Sequence, residues 1–87
     1  MAYKLIIKPS AQKDLDKLPD KEVIRLAPKI FLLSQDPRTI GTQKLTEQEG
    51  YRIRIGNYRV LYEIDDSAKS IFVFRIKHRK EVYKKKK

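Results

Sequence analysis

The chain has 87 residues, 40% of them hydrophobic and 37% charged, with 21 Lys+Arg against 11 Asp+Glu for a net charge of +10. That is room for one small domain, too apolar for a wholly disordered chain and too charged for a membrane protein. The absence of cysteine excludes a disulfide scaffold, a thiol nucleophile and a cysteine-based zinc site, and the single histidine excludes a multi-histidine metal cluster. The longest apolar runs, Ile30 to Leu33 and Ile71 to Phe74, are too short to span a bilayer. The N-terminus lacks the apolar stretch of a signal peptide, so a cytoplasmic protein with no membrane partner is expected.

The charge is unevenly placed. Residues 1–49 carry 9 Lys+Arg and 7 Asp+Glu, a net of +2, whereas residues 50–87 carry 12 and 4, a net of +8. A cationic field concentrated in one half points to a polyanionic partner, usually nucleic acid.

In chain order, Tyr3 to Lys8 predicts a short strand that Pro9 ends. Ser10 offers a helix N-cap, and Ala11, Leu15 and Leu18 recur at helical spacing up to Pro19. Asp20 can cap a second helix whose apolar stripe is Val23, Ala27, Ile30 and Ser34, flanked by Ile24 and Phe31. Pro28 inside it removes one hydrogen bond and predicts a kink, and Asp36-Pro37 ends it. Residues 37–50 read as a polar loop with Leu45 buried. Tyr51 to Ile55, Tyr58 to Ile64 and Ser70 to His78 predict three strands, joined by Gly56-Asn57 and by Asp65 to Lys69. Lys84 to Lys87 form a basic, mutually repelling tail after a single domain at residues 1–83. The expected fold is α+β, in the order β-α-α-β-β-β. A helical hairpin packs on one face of a mainly antiparallel four-stranded sheet.

The two-residue turn sets the hairpin register. Ile55 faces Tyr58, Arg54 faces Arg59, Ile53 faces Val60 and Arg52 faces Leu61. Tyr51, Ile53, Ile55, Tyr58, Val60, Tyr62 and Ile64 then form the core face, and Arg52, Arg54 and Arg59 the other. A five-residue second loop sets Tyr62 against Phe72 and Val60 against Phe74, which brings Arg75 beside Arg59. Lys77 and Arg79 continue that face, with Leu61, Ile71 and Val73 at its apolar end. Like charges opposite one another cost about 0.2–1 kcal/mol per pair, so a sheet selected only for stability would alternate its signs here. The row therefore reads as a phosphate-binding surface; the competing reading is a solvated sheet face.

No glycine-rich phosphate loop, paired-carboxylate site or serine triad is present. Any RNA cleavage should thus need no metal and no cofactor, using the substrate's own 2′-OH as nucleophile while arginines hold the phosphate and stabilise its charge. Proton transfer is harder, because arginine is a poor general acid or base. Tyr83 in a cationic surround and His78 are the candidates, although alternation places His78 on the core face.

The segments YRIRIGNYRVLYEI and IFVFRIKHRKEVY, together with the N-terminal strand, the hairpin ending in SQDPR and the KL before the sheet hairpin, resemble the RelE/ParE toxin superfamily, in its RelE-type branch. The resemblance covers about Met1 to Tyr83. It implies a toxin of a type II toxin–antitoxin system: an endoribonuclease that cuts mRNA in the A site of the 30S ribosomal subunit. It also implies a cognate RelB-like antitoxin that wraps the toxin in a hetero-oligomer. By residue, it implies that Arg52 and Arg54 are the basic pair of one strand and that Arg59 binds phosphate. Arg79 then stabilises the transition state and Tyr83 contacts the reacting nucleotide. Arg75, Lys77 and Lys80 complete the expected RNA-binding set. The best-known members carry lysines at the positions of Arg52 and Arg54, one of them a proton-transfer candidate, so the general acid stays open and His78 gains interest. Two alternatives remain: a gyrase-poisoning toxin of the ParE branch, whose members usually lack the Arg and Tyr of this ending, and a non-catalytic RNA-binding module.

Overall fold

The computed structural model describes residues 2–39, 41–46 and 48–78. In chain order the elements are β1 (Lys4–Ile7), α1 (Pro9–Asp16), α2 (Asp20–Leu32), β2 (Thr42–Lys44), β3 (Tyr51–Ile55), β4 (Tyr58–Asp65) and β5 (Ser70–His78). The strands form one sheet in the order β1-β5-β4-β3-β2, with β1 parallel to β5 and the other neighbours antiparallel. The expected α+β order is present with one strand added. Residues 42–44, expected to be loop, pair with Ile53, Arg52 and Tyr51 as an edge strand. A polar Thr-Gln-Lys run carries no alternation; it is held by the exposed edge of β3 and by a hydrogen bond between the Thr42 and Tyr62 hydroxyls at 3.2 Å.

Ala11, Leu26 and Ile30 from the helices and Leu33 at the C-cap of α2 close over Ile55, Tyr58, Val60, Tyr62, Ile71, Val73 and Ile76 of the sheet. The buried stripe of α2 and its C-terminal turn keeps part of the expected one. Ile30 and Ser34 are buried as expected and Leu26 and Leu33 join them, while Ala27 is exposed and Ile24 and Phe31 face outward at 72% and 57% exposure. Neither helix uses the side-chain cap its sequence offered. Ser10 lies inside α1, and its hydroxyl donates instead to the Phe74 carbonyl of β5 at 2.6 Å. One turn later Asp14 accepts the Ile76 N–H at 2.8 Å. Two side chains at i, i+4 therefore satisfy the edge of β5 beyond the point where β1 stops pairing with it.

The β3–β4 register is the expected one at every pair from Arg52↔Leu61 to Ile55↔Tyr58. Gly56 has φ +59° and Asn57 has no positive φ, the pattern of a II′ turn with glycine in first place. The β4–β5 register differs. The loop has four residues, closed by the Asp65 carboxylate, which accepts the Ala68 N–H at 3.0 Å and the Ser67 hydroxyl at 2.8 Å. Ile71 and Val73 consequently face Ile64 and Tyr62 in the core, and Phe72 and Phe74 do not. A bulge then absorbs Phe74, after which Arg75 faces Leu61, Ile76 faces Val60 and Lys77 faces Arg59. Both faces of the run Ile-Phe-Val-Phe are apolar, so burial alone, worth about 1.5–3 kcal/mol per large side chain, cannot choose between the registers. The turn chemistry of Asp65 chooses.

Behind the sheet, Gly50 holds φ +128°, and a Cβ there would lie 2.9 Å from the Tyr62 carbonyl oxygen and 3.2 Å from a Leu45 methyl. Gly41 also has positive φ, at +97°, but meets nothing within 4 Å. Gly50→Ala should therefore lower stability by about 2–4 kcal/mol and Gly41→Ala by about 1 kcal/mol. Urea midpoints of the two variants check this; equal losses would show that the contact with the Tyr62 carbonyl is unimportant.

Candidate nucleic-acid interface

The hairpin turn brings Arg54 and Arg59 opposite one another, and the bulge in β5 adds Lys77 next to Arg59. Three cations thus cross three adjacent strands on the face away from the helices. Arg52 shares that face, two residues along β3. Arg52, Arg54 and Arg59 line a cleft of about 430 Å³ together with Gly41, Gln43 and Ile53. Each guanidinium presents up to five N–H donors in a planar fork, which matches the paired oxygens of a phosphate. The Arg52 fork is held from β2: its Nε and Nη2 donate to the Gln43 Oε1 at 3.2 and 2.7 Å.

The row differs from the expected one by one member. Arg75 was placed beside Arg59, but the shifted register puts it opposite Leu61. There its Nε donates to the Asp14 carboxylate of α1 at 2.8 Å. Lys77 takes the position expected of Arg75. Ile71 and Val73, expected at the apolar end of this face, are in the core, and Phe72 takes the end beside Leu61. His78 lies opposite Tyr58, on the core side as alternation predicts, with its ring edge-to-face to the tyrosine at 5.1 Å and 89°. Arg79, Lys80 and Tyr83 lie outside the described residues.

Carboxylates elsewhere are engaged away from this cleft. Asp14 holds Arg75 and the Ile76 N–H. Asp66 takes Arg38 at 3.0 Å and the Tyr3 hydroxyl at 2.7 Å. Asp65 serves its own turn. Glu49, Glu63, Asp65 and Asp66 line a separate depression at the far end of the sheet, so the two ends carry opposite charge. Among the described residues no three His, Asp or Glu side chains stand close enough to hold a metal ion.

The acidic end is stitched by side chains from distant segments. Arg38 also lies over the Tyr51 ring at 5.4 Å, and Tyr51 stacks on Tyr62 at 6.0 Å. The buried Tyr62 hydroxyl donates to the Pro37 carbonyl at 2.6 Å, and burial raises its pKa. The Arg38 hydrogen bond, then that of Tyr3, lowers the pKa of Asp66. The Ala68 N–H, then the Ser67 hydroxyl, does the same for Asp65. Gln43 and Asp14 were not foreseen as partners of arginines. Asp14 left a signal, since it shares a helical face with Ser10; Gln43 left none, because its role exists only once β2 pairs with β3.

Comparison with known proteins follows the same lines. A family model described as the ParE toxin of type II toxin-antitoxin system, parDE, matches residues 5–83. Toxin RelG of Mycobacterium tuberculosis is 32% identical over 87 residues, covering 98% of this chain and 100% of that protein. Toxin RelE of the same organism is 31% identical over 84 residues, covering 94% of this chain and 87% of that protein. In the crystal structure of the toxin–antitoxin complex RelBE2 from M. tuberculosis, the matching chain superposes with a TM-score of 0.82. It is 29% identical, over 91% of this chain and 100% of that one.

A carboxylate whose folded-state pKa is depressed stabilises the fold above its ordinary pKa of about 4, and that contribution is lost as pH falls through the lower folded value. Asp66→Asn should therefore flatten the loss of stability between about pH 5 and pH 2, with the Asp65 share remaining. Urea midpoints against pH test this, and an acid limb identical to that of the wild type would contradict it.

Proposed function

Because this chain belongs to the RelE/ParE toxin superfamily of type II toxin–antitoxin systems, we propose that it is a ribosome-dependent endoribonuclease that cuts mRNA in the A site and so arrests translation. The observation that carries this reading is the cleft where Arg52, Arg54 and Arg59 converge beside Lys77, with Asp14, Asp65 and Asp66 committed elsewhere. A cationic patch kept at a cost of about 0.2–1 kcal/mol for each opposed pair is better explained by a phosphate ligand than by stability.

The 2′-OH of the substrate attacks the adjacent phosphorus. A new O–P bond forms, the bond from phosphorus to the 5′ oxygen breaks, and the products are a 2′,3′-cyclic phosphate and a 5′-hydroxyl. No metal is required. Arg54 and Arg59 grip the non-bridging oxygens and hold them as charge grows in the phosphorane, and Arg52 and Lys77 steer the flanking phosphates. Arg79 adds transition-state charge. One proton leaves the 2′-OH and one reaches the departing oxygen. His78 packs against Tyr58 on the core face, so Tyr83 and groups of the ribosome are assigned these transfers. Naked RNA is then a poor substrate, and the protein acts where ribosomes are, in the cytoplasm.

The RelBE2 relative is a toxin–antitoxin complex, which supports a RelB-like antitoxin as partner here. Ile24, Phe31 and Leu32 stand 57–72% exposed on α2, an apolar patch of the kind an amphipathic peptide covers. The family model bears the ParE description, which favours a second reading: inhibition of DNA gyrase with no nuclease chemistry.

Induction in a bacterium, with mapping of transcript 5′ ends, separates these readings. Cuts within codons of translated mRNA are expected; gyrase-dependent DNA damage without cuts would replace the first reading with the second. Arg54→Ala and Arg59→Ala should each lower kcat/KM about 10²–10³-fold on programmed ribosomes while circular dichroism stays unchanged. Arg79→Ala and Tyr83→Phe should abolish cleavage, and normal rates in both would refute their assignment. Rapid cutting of free RNA would refute dependence on the ribosome.

A further inference from the structure

Arg38, Arg52 and Arg75 each have a hydrogen-bonding side-chain partner, and the partners differ in kind. Arg38 is held by the carboxylate of Asp66 and Arg75 by that of Asp14. Each of those pairs is locally neutral and ties distant segments together. Arg52 is held by a neutral amide: the Gln43 Oε1 accepts from both its Nε and its Nη2, at 3.2 and 2.7 Å. A carboxylate would orient the fork equally well but would cancel its charge inside the cleft. An amide oxygen orients the guanidinium and leaves the full positive charge available to a ligand. The register Gln43↔Arg52 places the two side chains on the same face, next to Arg54 and Arg59.

We infer that Gln43 is a positioning residue of the phosphate cleft: it fixes the guanidinium plane of Arg52 toward RNA without neutralising it. This rests on the reading of the cleft as an RNA-phosphate site. Freezing a long, flexible side chain before the ligand arrives removes part of the ordering cost of binding. It also directs the Nη1 edge of Arg52, the edge Gln43 does not engage, at the ligand. The short edge strand β2 thereby has a function: its middle residue holds a cation that β3 alone would leave mobile.

The test is a double-substitution cycle on the full chain, with Q43A, R52A and the pair, plus Q43E. Readouts are cleavage on programmed ribosomes, equilibrium binding of a single-stranded RNA oligonucleotide over a salt series, and binding of inorganic phosphate followed by NMR. Q43A should weaken RNA binding about 3- to 10-fold when Arg52 is present and have no effect in the R52A background. Its salt slope should match the wild type, because the number of cations is unchanged. Q43E keeps the fork in place but cancels its charge, so its slope should fall by about 0.7, as in R52A. A merely structural role for Gln43 would not separate the slopes of Q43A and Q43E. Equal losses from Q43A with and without Arg52, or a Q43E variant that binds with wild-type affinity and slope, would overturn the inference. Should the wild type neither cut mRNA nor bind RNA, the proposed function fails, and the phosphate arm decides on Gln43 separately. Weakening by Q43A only in the presence of Arg52 upholds its positioning role, and absence of any Arg52-dependent effect overturns it.

Discussion

The turn at Asp65 and the bulge at Phe74 control where every side chain of β5 goes. A carboxylate that accepts the Ala68 N–H and the Ser67 hydroxyl closes a four-residue loop and pairs Asp65 with Ser70. From there Ile71 and Val73 fall into the core. The bulge then advances the register by one, so that Ile76 returns to the core and Lys77 comes to lie beside Arg59. A side-chain period of two makes a one-residue slip an exchange of faces. The same two features set both the hydrophobic centre and the make-up of the cationic row.

The edge of β5 is a second consequence. β1 pairs only as far as Val73, and beyond it the strand would show unpaired backbone groups. Ser10 and Asp14, one helical turn apart on α1, take the Phe74 carbonyl and the Ile76 N–H. Asp14 also binds Arg75. One carboxylate thus closes an edge and withdraws an arginine from the basic face. The charges of the molecule sort by this logic. Arginines bound to carboxylates hold segments together, and those grouped around an amide and a glycine line the cleft.

The separation of charge along the sheet gives the fold a direction. Glu49, Glu63, Asp65 and Asp66 gather at one end, and Arg52, Arg54, Arg59 and Lys77 at the other. A polyanion approaching such a surface is drawn to one end and repelled from the other, which orients it before contact. Asp65 and Asp66 at the far end are also bound into a turn and an ion pair, so they do not compete for the cations of the cleft.

The amino-acid sequence alone determined the order of the main elements, the β3–β4 register and the grouping of Arg52, Arg54 and Arg59. These follow from local rules: a two-residue Gly-Asn loop and strict alternation leave one pairing. Tertiary structure decided the rest. It made β2 from a polar run with no pattern of its own. It also brought Leu26 of α2 and Leu33 at its C-cap into the core beside Ile30 and Ser34. Arg75 was sent to Asp14, 61 residues away in the chain. In these cases the deciding contact joins separate segments of the chain; the register of β5 is set instead by the local turn at Asp65, whose side-chain hydrogen bonds periodicity does not record either.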